Sequence, residues 1–172
     1  MKHGGYTNPK EVEDSIALRV LNYREKLGLT TICYKEEYNP IVRQWCENFL
    51  EVRNGELYFT LEKYDSRCPH FNFDERTEIT NRIYITRFER VQEIAQFSAL
   101  KNTKISSRIF KSVINNFDGS PKHKQAMSSS WPTSFSVGFY YNKDKGVWSC
   151  YVLFFTEYGY EERISPKQKK YF

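Results

Sequence analysis

Two amphipathic stripes, each opened by an Asn-Pro pair, and an alternating hairpin near the end of the chain predict an α+β fold. Helices come first and the hairpin last. The expected arrangement is a three-layer α-β-α sandwich, with helices covering both faces of a small antiparallel sheet.

Asn8-Pro9 supplies a cap and a first-turn proline for the first helix. Val12, Ile16, Val20, Tyr23 and Leu27 follow at helical spacing, and Gly28 closes it. Asn39-Pro40 repeats the opening device; Val42, Trp45, Phe49 and Val52 form the second stripe, and Gly55 ends it. Leu57, Phe59 and Leu61 alternate with Tyr58 and Thr60, which fits a short strand or a loop pinned by aromatics. Residues 62–76 are polar and turn-rich, and a short helix is expected over Thr77–Phe88. Val91–Ala99 reads as either strand or loop. Ser106 is placed to cap a helix whose stripe, Ile109, Phe110, Val113, Ile114 and Phe117, stops at Asp118-Gly119. Ser120 then caps a further helix, with Pro121 in its first position. Phe135, Val137, Phe139 and Tyr141 alternate on one strand, Val147–Thr156 forms the next, and residues 142–146 make the hairpin loop.

A chain of 172 residues suits one domain, expected over residues 9–159 between a flexible start (1–8) and a charged tail (160–172). Aromatic residues make up 17% of it, which excludes a disordered class. No apolar run approaches membrane-spanning length. The net charge is +5, with basic groups at Lys101/Lys104/Arg108/Lys111, Lys122/Lys124 and Lys167/Lys169/Lys170. Acidic residues are interleaved throughout, and the aromatics sit at core spacing, so these groups read as solvated surface and no nucleic-acid partner is expected. Cys33, Cys46, Cys68 and Cys150 include no CxxC pair, so a zinc ribbon has no support. Four buried thiols and two disulfides of unspecified pairing both remain open. The start, Met1-Lys2-His3-Gly4-Gly5, has no apolar signal region, which fits a cytosolic protein or a mature form with a new initiator.

His70 and His123 are the histidines outside the start of the chain. His123 falls in the first turn of the helix opened by Ser120-Pro121, where the helix dipole disfavours imidazolium. A neutral imidazole there can bind a metal or polarise a carbonyl. With Glu93, the pair makes two imidazoles and a carboxylate, a set that could hold zinc with one open position. Without metal, Glu93 could orient one imidazole as an acid/base pair. No nucleophile stands out: Ser120 is expected to be engaged in capping, and no cysteine is expected to be exposed and activated.

Several segments resemble the CAP superfamily of cysteine-rich secretory proteins, venom antigens and pathogenesis-related proteins. Asn22-Tyr23-Arg24-Glu25-Lys26-Leu27-Gly28-Leu29 resembles the run of asparagine, arginine, glycine and leucine that closes the family's first helix. His70, with Asp74, Thr77, Arg82 and Ile83, is similar to the first histidine segment of the bacterial branch. Gln92-Glu93-Ile94-Ala95 takes the place of G-E-N-I-A, and Val113-Ile114 through Ser120-Pro121-Lys122-His123 resembles V-V-x-x-W-x-x-S-P-x-H with Phe117 for the tryptophan. Ser136-Val137-Gly138-Phe139 and Val147-Trp148 resemble the closing hairpin. Gln92, Ile94 and Glu75 depart from the family's pattern, residues 54–68 look inserted, and the eukaryotic H-Y-T-Q-x-V-W motif is missing, so the resemblance is to a divergent bacterial-type SCP domain.

The resemblance implies an extracellular or periplasmic binding module, monomeric and non-catalytic, with His70, Glu93 and His123 converging in an aromatic-walled groove. A metal such as zinc, a lipid or a peptide would be its ligand. The alternative is a metal-assisted hydrolase of peptidase type that uses the same three residues as its catalytic set.

Overall fold

The computed structural model describes residues 8–54, 70, 73–99, 107–142, 144 and 146–157. Helix α1 (Pro9–Lys26) starts as the sequence indicates: Asn8 is extended, and its Oδ1 accepts the Lys10 N–H at 3.0 Å. It ends on Gly28, whose φ of 66° is the left-handed conformation glycine takes freely. The Gly28 N–H bonds Glu25 O at 2.9 Å and the Leu29 N–H bonds Arg24 O at 3.0 Å, which satisfies the last carbonyls of the helix.

A two-residue strand, β1 (Cys33–Tyr34), and a 3₁₀ turn at Glu36–Tyr38 lead into α2 (Asn39–Asn54). Here the expected capping role of Asn39 is corrected. Asn39 is already helical (φ −55°, ψ −40°) and only 3% exposed. The preceding turn starts the chain coiling, which frees its side chain for the sheet. Helix α3 is Phe73–Ile83, four residues earlier at its start than expected and five earlier at its end, because a left-handed residue at Ile85 stops it. The chain then enters β2 (Phe88–Ala99), so the ambiguous stretch Val91–Ala99 is strand. Helices α4 (Ser107–Gly119) and α5 (Pro121–Ser128) follow, then β3 (Ser134–Asn142) and β4 (Val147–Glu157). Ser120 has N-cap backbone, but its hydroxyl makes no capping bond, which corrects the assigned role. Ser106, Gly55 and Leu57–Leu61 lie outside the described residues. So do the start and tail of the chain, apart from Asn8.

The strand order is β1-β3-β4-β2. β4 lies between β3 and β2, antiparallel to both, with Val137 opposite Val152 and Glu93 opposite Leu153. β1 pairs parallel with the start of β3, so the sheet is mixed and not purely antiparallel. Such a short pairing carries almost no apolar pattern, which hid it in the sequence. The hairpin is buried on both faces, not on alternate residues alone. One cluster joins α1, α4 and α5 to the sheet through Ile16, Val20, Val113, Phe117, Met127 and Phe154. The other packs Val42, Trp45 and Phe49 of α2 on Tyr151, Leu153 and Phe155. This is the α-β-α sandwich. Gly138 lets α2 lie directly on β3, since a Cβ there would come within 2.4 Å of the Val42 carbonyl carbon.

Beyond β1, side chains seal the outer edge of β3. The Val137 N–H donates to Asn39 Oδ1 (3.0 Å), and the Phe139 N–H donates to Glu13 Oε1 (3.2 Å). Arg43 holds both oxygens of Glu13, Nε to Oε1 at 2.8 Å and Nη2 to Oε2 at 2.7 Å. Two backbone N–H groups of this edge are thereby occupied.

Cys46 and Cys150 are buried free thiols in different clusters on opposite faces of the sheet, and burial pushes both up. Cys33 is a free thiol at the surface, against the reading of four buried ones, and Cys68 lies outside the described residues. No described helix is long and apolar enough to cross a membrane.

Candidate functional site

Among the described residues β2 is an edge strand, and the candidate site is built on it. Alternation along β2 points Val91, Ala95 and Phe97 into the cluster under α2, while Ile94 joins the opposite one. Glu93 shares the first face, and its side chain is 2% exposed. A carboxylate this deep needs a partner. Arg76, on the inward face of α3 between Phe73 and Thr80, supplies it. Nη1 donates to Oε2 at 2.9 Å and Nη2 to Oε1 at 2.8 Å. Its guanidinium lies 4.7 Å from the Trp45 ring centroid, with the Tyr151 ring at 5.8 Å.

His70 completes this group. Its Nδ1 lies 2.8 Å from Glu93 Oε1, and its side chain is 36% exposed. His123 comes from the first turn of α5, on the other side of the sheet, and its ring meets Phe117 edge-on at 5.2 Å. It is half-buried. Burial lowers its basicity, and the nearby charge of His70 lowers it further, so the neutral imidazole is favoured. The site therefore brings His70 and Glu93 into direct contact and sets His123 within electrostatic reach of His70.

The helix that carries His123 is anchored from α1. Arg24 is 1% exposed, and among the described residues no carboxylate pairs with it. Its Nη1 donates to Met127 O and Ser129 O, each at 2.8 Å, and its Nη2 donates to Thr30 O at 3.1 Å. A cation at the carbonyl end of α5 is also favoured by the helix dipole. Tyr23 holds the last turn of the preceding helix, α4, donating to Asp118 at 2.7 Å, and burial with that bond pushes its phenol up to about 12.

Arg76 is the residue that the family-like pattern passed over. That pattern drew attention to Asp74, Thr77 and Arg82, but Asp74 is exposed and Arg82 meets Glu78 at the surface at 3.4 Å. One signal for Arg76 was available: an arginine three residues after Phe73 and four before Thr80 falls on the inward stripe of a helix.

As arranged, the donors do not fit a zinc ion. Arg76 engages both oxygens of Glu93, His70 turns Nδ1 to one of the same oxygens, and a buried guanidinium beside the carboxylate repels a dication. Among the described residues, no three His, Cys, Asp or Glu side chains converge closely enough to hold a metal ion.

No family model matches the sequence, and neither does any curated protein. Solved structures do. An outer surface protein of Borrelia burgdorferi superposes with a TM-score of 0.54 at 14% identity, covering 89% of this chain and 98% of that one. An extracellular protein of Bacillus anthracis that contains an SCP domain gives a TM-score of 0.54 at 10% identity, covering 84% of this chain. A cysteine-rich secretory protein of Staphylococcus aureus gives 0.48 at 10% identity, covering 87% of this chain. This chain spans 40% of the length of each of the last two. The fold is therefore CAP-like, in a divergent form.

Proposed function

We propose that this chain is an exported or surface-held CAP-type binding module that recognises a hydrogen-bonding ligand, such as a peptide segment, at His70 and His123 without turning it over. One observation carries the reading: Arg76 holds both oxygens of the buried Glu93. The carboxylate is thereby neutralised within the protein and serves to fix the His70 ring through Nδ1. Among the described residues the other ring nitrogen of His70 makes no hydrogen bond, and the His123 ring, whose basicity burial and His70 lower, stands against Phe117. Two imidazoles, one of them edge-on to the Phe117 ring, offer donors, acceptors and an apolar contact. The structural neighbours include an outer surface protein and an extracellular protein, which supports export.

The 2.8 Å His70–Glu93 contact favours one second reading, hydrolysis with His70 as general base. It lacks a nucleophile. Among the described residues no hydroxyl or thiol bonds His70, and burial disfavours the thiolate at Cys46 and Cys150. The test uses wild-type protein, His70→Ala and His123→Ala. We expect no cleavage of peptide or ester substrates above background. A bound peptide should shift the imidazole NMR signals of both histidines in wild type, and neither single variant should retain its affinity. Cleavage by pure wild type that both variants abolish would promote the hydrolase. Peptide libraries that leave both imidazole signals unmoved would overturn the binding site.

A further inference from the structure

A cleft of about 220 Å³ opens between α1 and α4. Its walls are Arg19, Asn22, Tyr23 and Lys26 from α1 and Ile114 and Asn115 from α4, none of which belongs to the site of His70, Glu93 and His123. Asn22, Tyr23 and Lys26 follow Arg19 at spacings of three, four and seven, so α1 presents all four on one stripe. Among the described residues Arg19, Asn22, Lys26 and Asn115 make no hydrogen bond, ion pair or ring contact. That sets Arg19 apart. The more deeply placed arginines are each provided for: Arg24 by backbone carbonyls, Arg43 by Glu13 and Arg76 by Glu93. Arg19 is half-buried at the wall of a cleft with nothing to bond. Lys26 suits the carbonyl end of α1, but Arg19 sits mid-helix, where the dipole gives no reason for a cation.

The space between these side chains is built for a negative charge. A guanidinium and an ammonium border it, and two carboxamides can each turn an N–H inward. No acid lines it among the described residues, and the neighbouring carboxylates are engaged or turned away. Asp118 accepts the Tyr23 hydroxyl at 2.7 Å and lies 3.9 Å from Lys124 Nζ. Asp14 pairs with Lys10 at 2.8 Å. Glu25 lies about 120° round α1 from Arg19, and Glu11 about 12 Å before it along the axis. At about 30 Å³ per water the cleft has room for about seven waters, a space for a small ion and not for a drug-sized ligand. Ile114 is the one aliphatic residue in its walls among the described residues, so a hydrocarbon chain would find little to bury against. A tetrahedral oxyanion can accept from a forked guanidinium and from amides at the same time.

We propose that Arg19, Asn22, Lys26 and Asn115 form a binding site for a phosphate group, as the free ion or as a small phosphomonoester. The test titrates the full chain, in phosphate-free buffer, with inorganic phosphate and with glycerol 3-phosphate, against sodium chloride at matched ionic strength. NMR follows the side-chain N–H signals of Arg19, Asn22 and Asn115. Wild type should show saturable shifts with phosphate that chloride does not produce. Arg19→Gln should weaken binding at least about tenfold, and Lys26→Gln about threefold. Both variants should keep the wild-type melting temperature without phosphate, because neither side chain bonds to the protein. Tighter binding of glycerol 3-phosphate than of inorganic phosphate would assign the site to a monoester, and equal binding would assign it to the free ion. The proposal is overturned if both phosphates leave these signals unmoved, if chloride reproduces the shifts, or if Arg19→Gln binds as well as wild type. A lower melting temperature of Arg19→Gln without phosphate would overturn it too, by giving Arg19 a structural role.

Discussion

Two buried glutamates sit near opposite edges of this sheet, and an arginine holds both oxygens of each. At the β3 edge the pair is Glu13 with Arg43; at the β2 edge it is Glu93 with Arg76. The third bond separates them. Glu13 accepts it from the Phe139 backbone N–H, so its bonds all go to joining α1, α2 and β3. Glu93 shares it with an imidazole that is 36% exposed. The same ion pair thus closes a sheet edge in one place and presents a titratable, accessible ring in the other. A buried salt bridge by itself does not mark a function. What marks one is the solvent-facing group to which the pair is connected.

The largest expected effect lies at the closed edge. Glu13→Ala leaves Arg43 without its carboxylate and the Phe139 N–H without an acceptor, so urea unfolding should show a loss of about 3–5 kcal/mol. Gly138→Ala attacks the same edge by another route. Its methyl group would fall 2.4–2.6 Å from the Val42 and Arg43 backbone, and a loss of about 1–3 kcal/mol is expected. A stable Gly138→Ala protein would mean that α2 does not press on β3 as described.

The two ends should also respond to pH with opposite signs. Burial raises the Glu13 carboxyl above its ordinary value, against the pull of Arg43 and the Phe139 N–H. Its contribution to stability is therefore complete below the unfolded value of about 4.3 and is lost as pH rises through the folded value. Burial and His70 lower His123, so its contribution is present above about pH 6.5 and is lost as pH falls through its folded value. Stability measured against pH should rise more steeply above pH 4 in Glu13→Gln than in wild type, and His123→Gln should flatten the decline below pH 6.5. Both slopes unchanged would contradict the burial assigned to these groups. The smallest stability effect belongs to His70→Ala, about 1 kcal/mol or less because the ring is partly exposed and makes one bond, although ligand binding should be lost.

Much of the architecture was legible because it rests on periodicity. The α1 stripe as far as Tyr23, the hairpin and the Pro121 helix follow from apolar spacing and from Asn8, Pro9, Gly28 and Pro121, whereas Leu27 caps the helix end and is 50% exposed. What escaped has no period. β1 is two residues long, and Asn39 reads as a cap but ties down the sheet edge. Helix α3 was misplaced because its stop signal is Ile85 in a left-handed conformation, where sequence rules look for glycine. At the site, His70, Glu93 and His123 drew attention by residue type and family-like context. Arg76 did not, since an arginine in a charged segment reads as surface until the helix face is fixed.

The account turns on Arg76 as the resident cation of Glu93. A cobalt titration of wild-type protein and Arg76→Met, followed by visible absorption and by melting temperature, tests this most directly. The prediction is that wild type develops no cobalt absorption band and no metal-induced rise in melting temperature. Arg76→Met, with Glu93 released, should gain both. Stoichiometric cobalt binding by wild type that is lost in His70→Ala and in His123→Ala would contradict it.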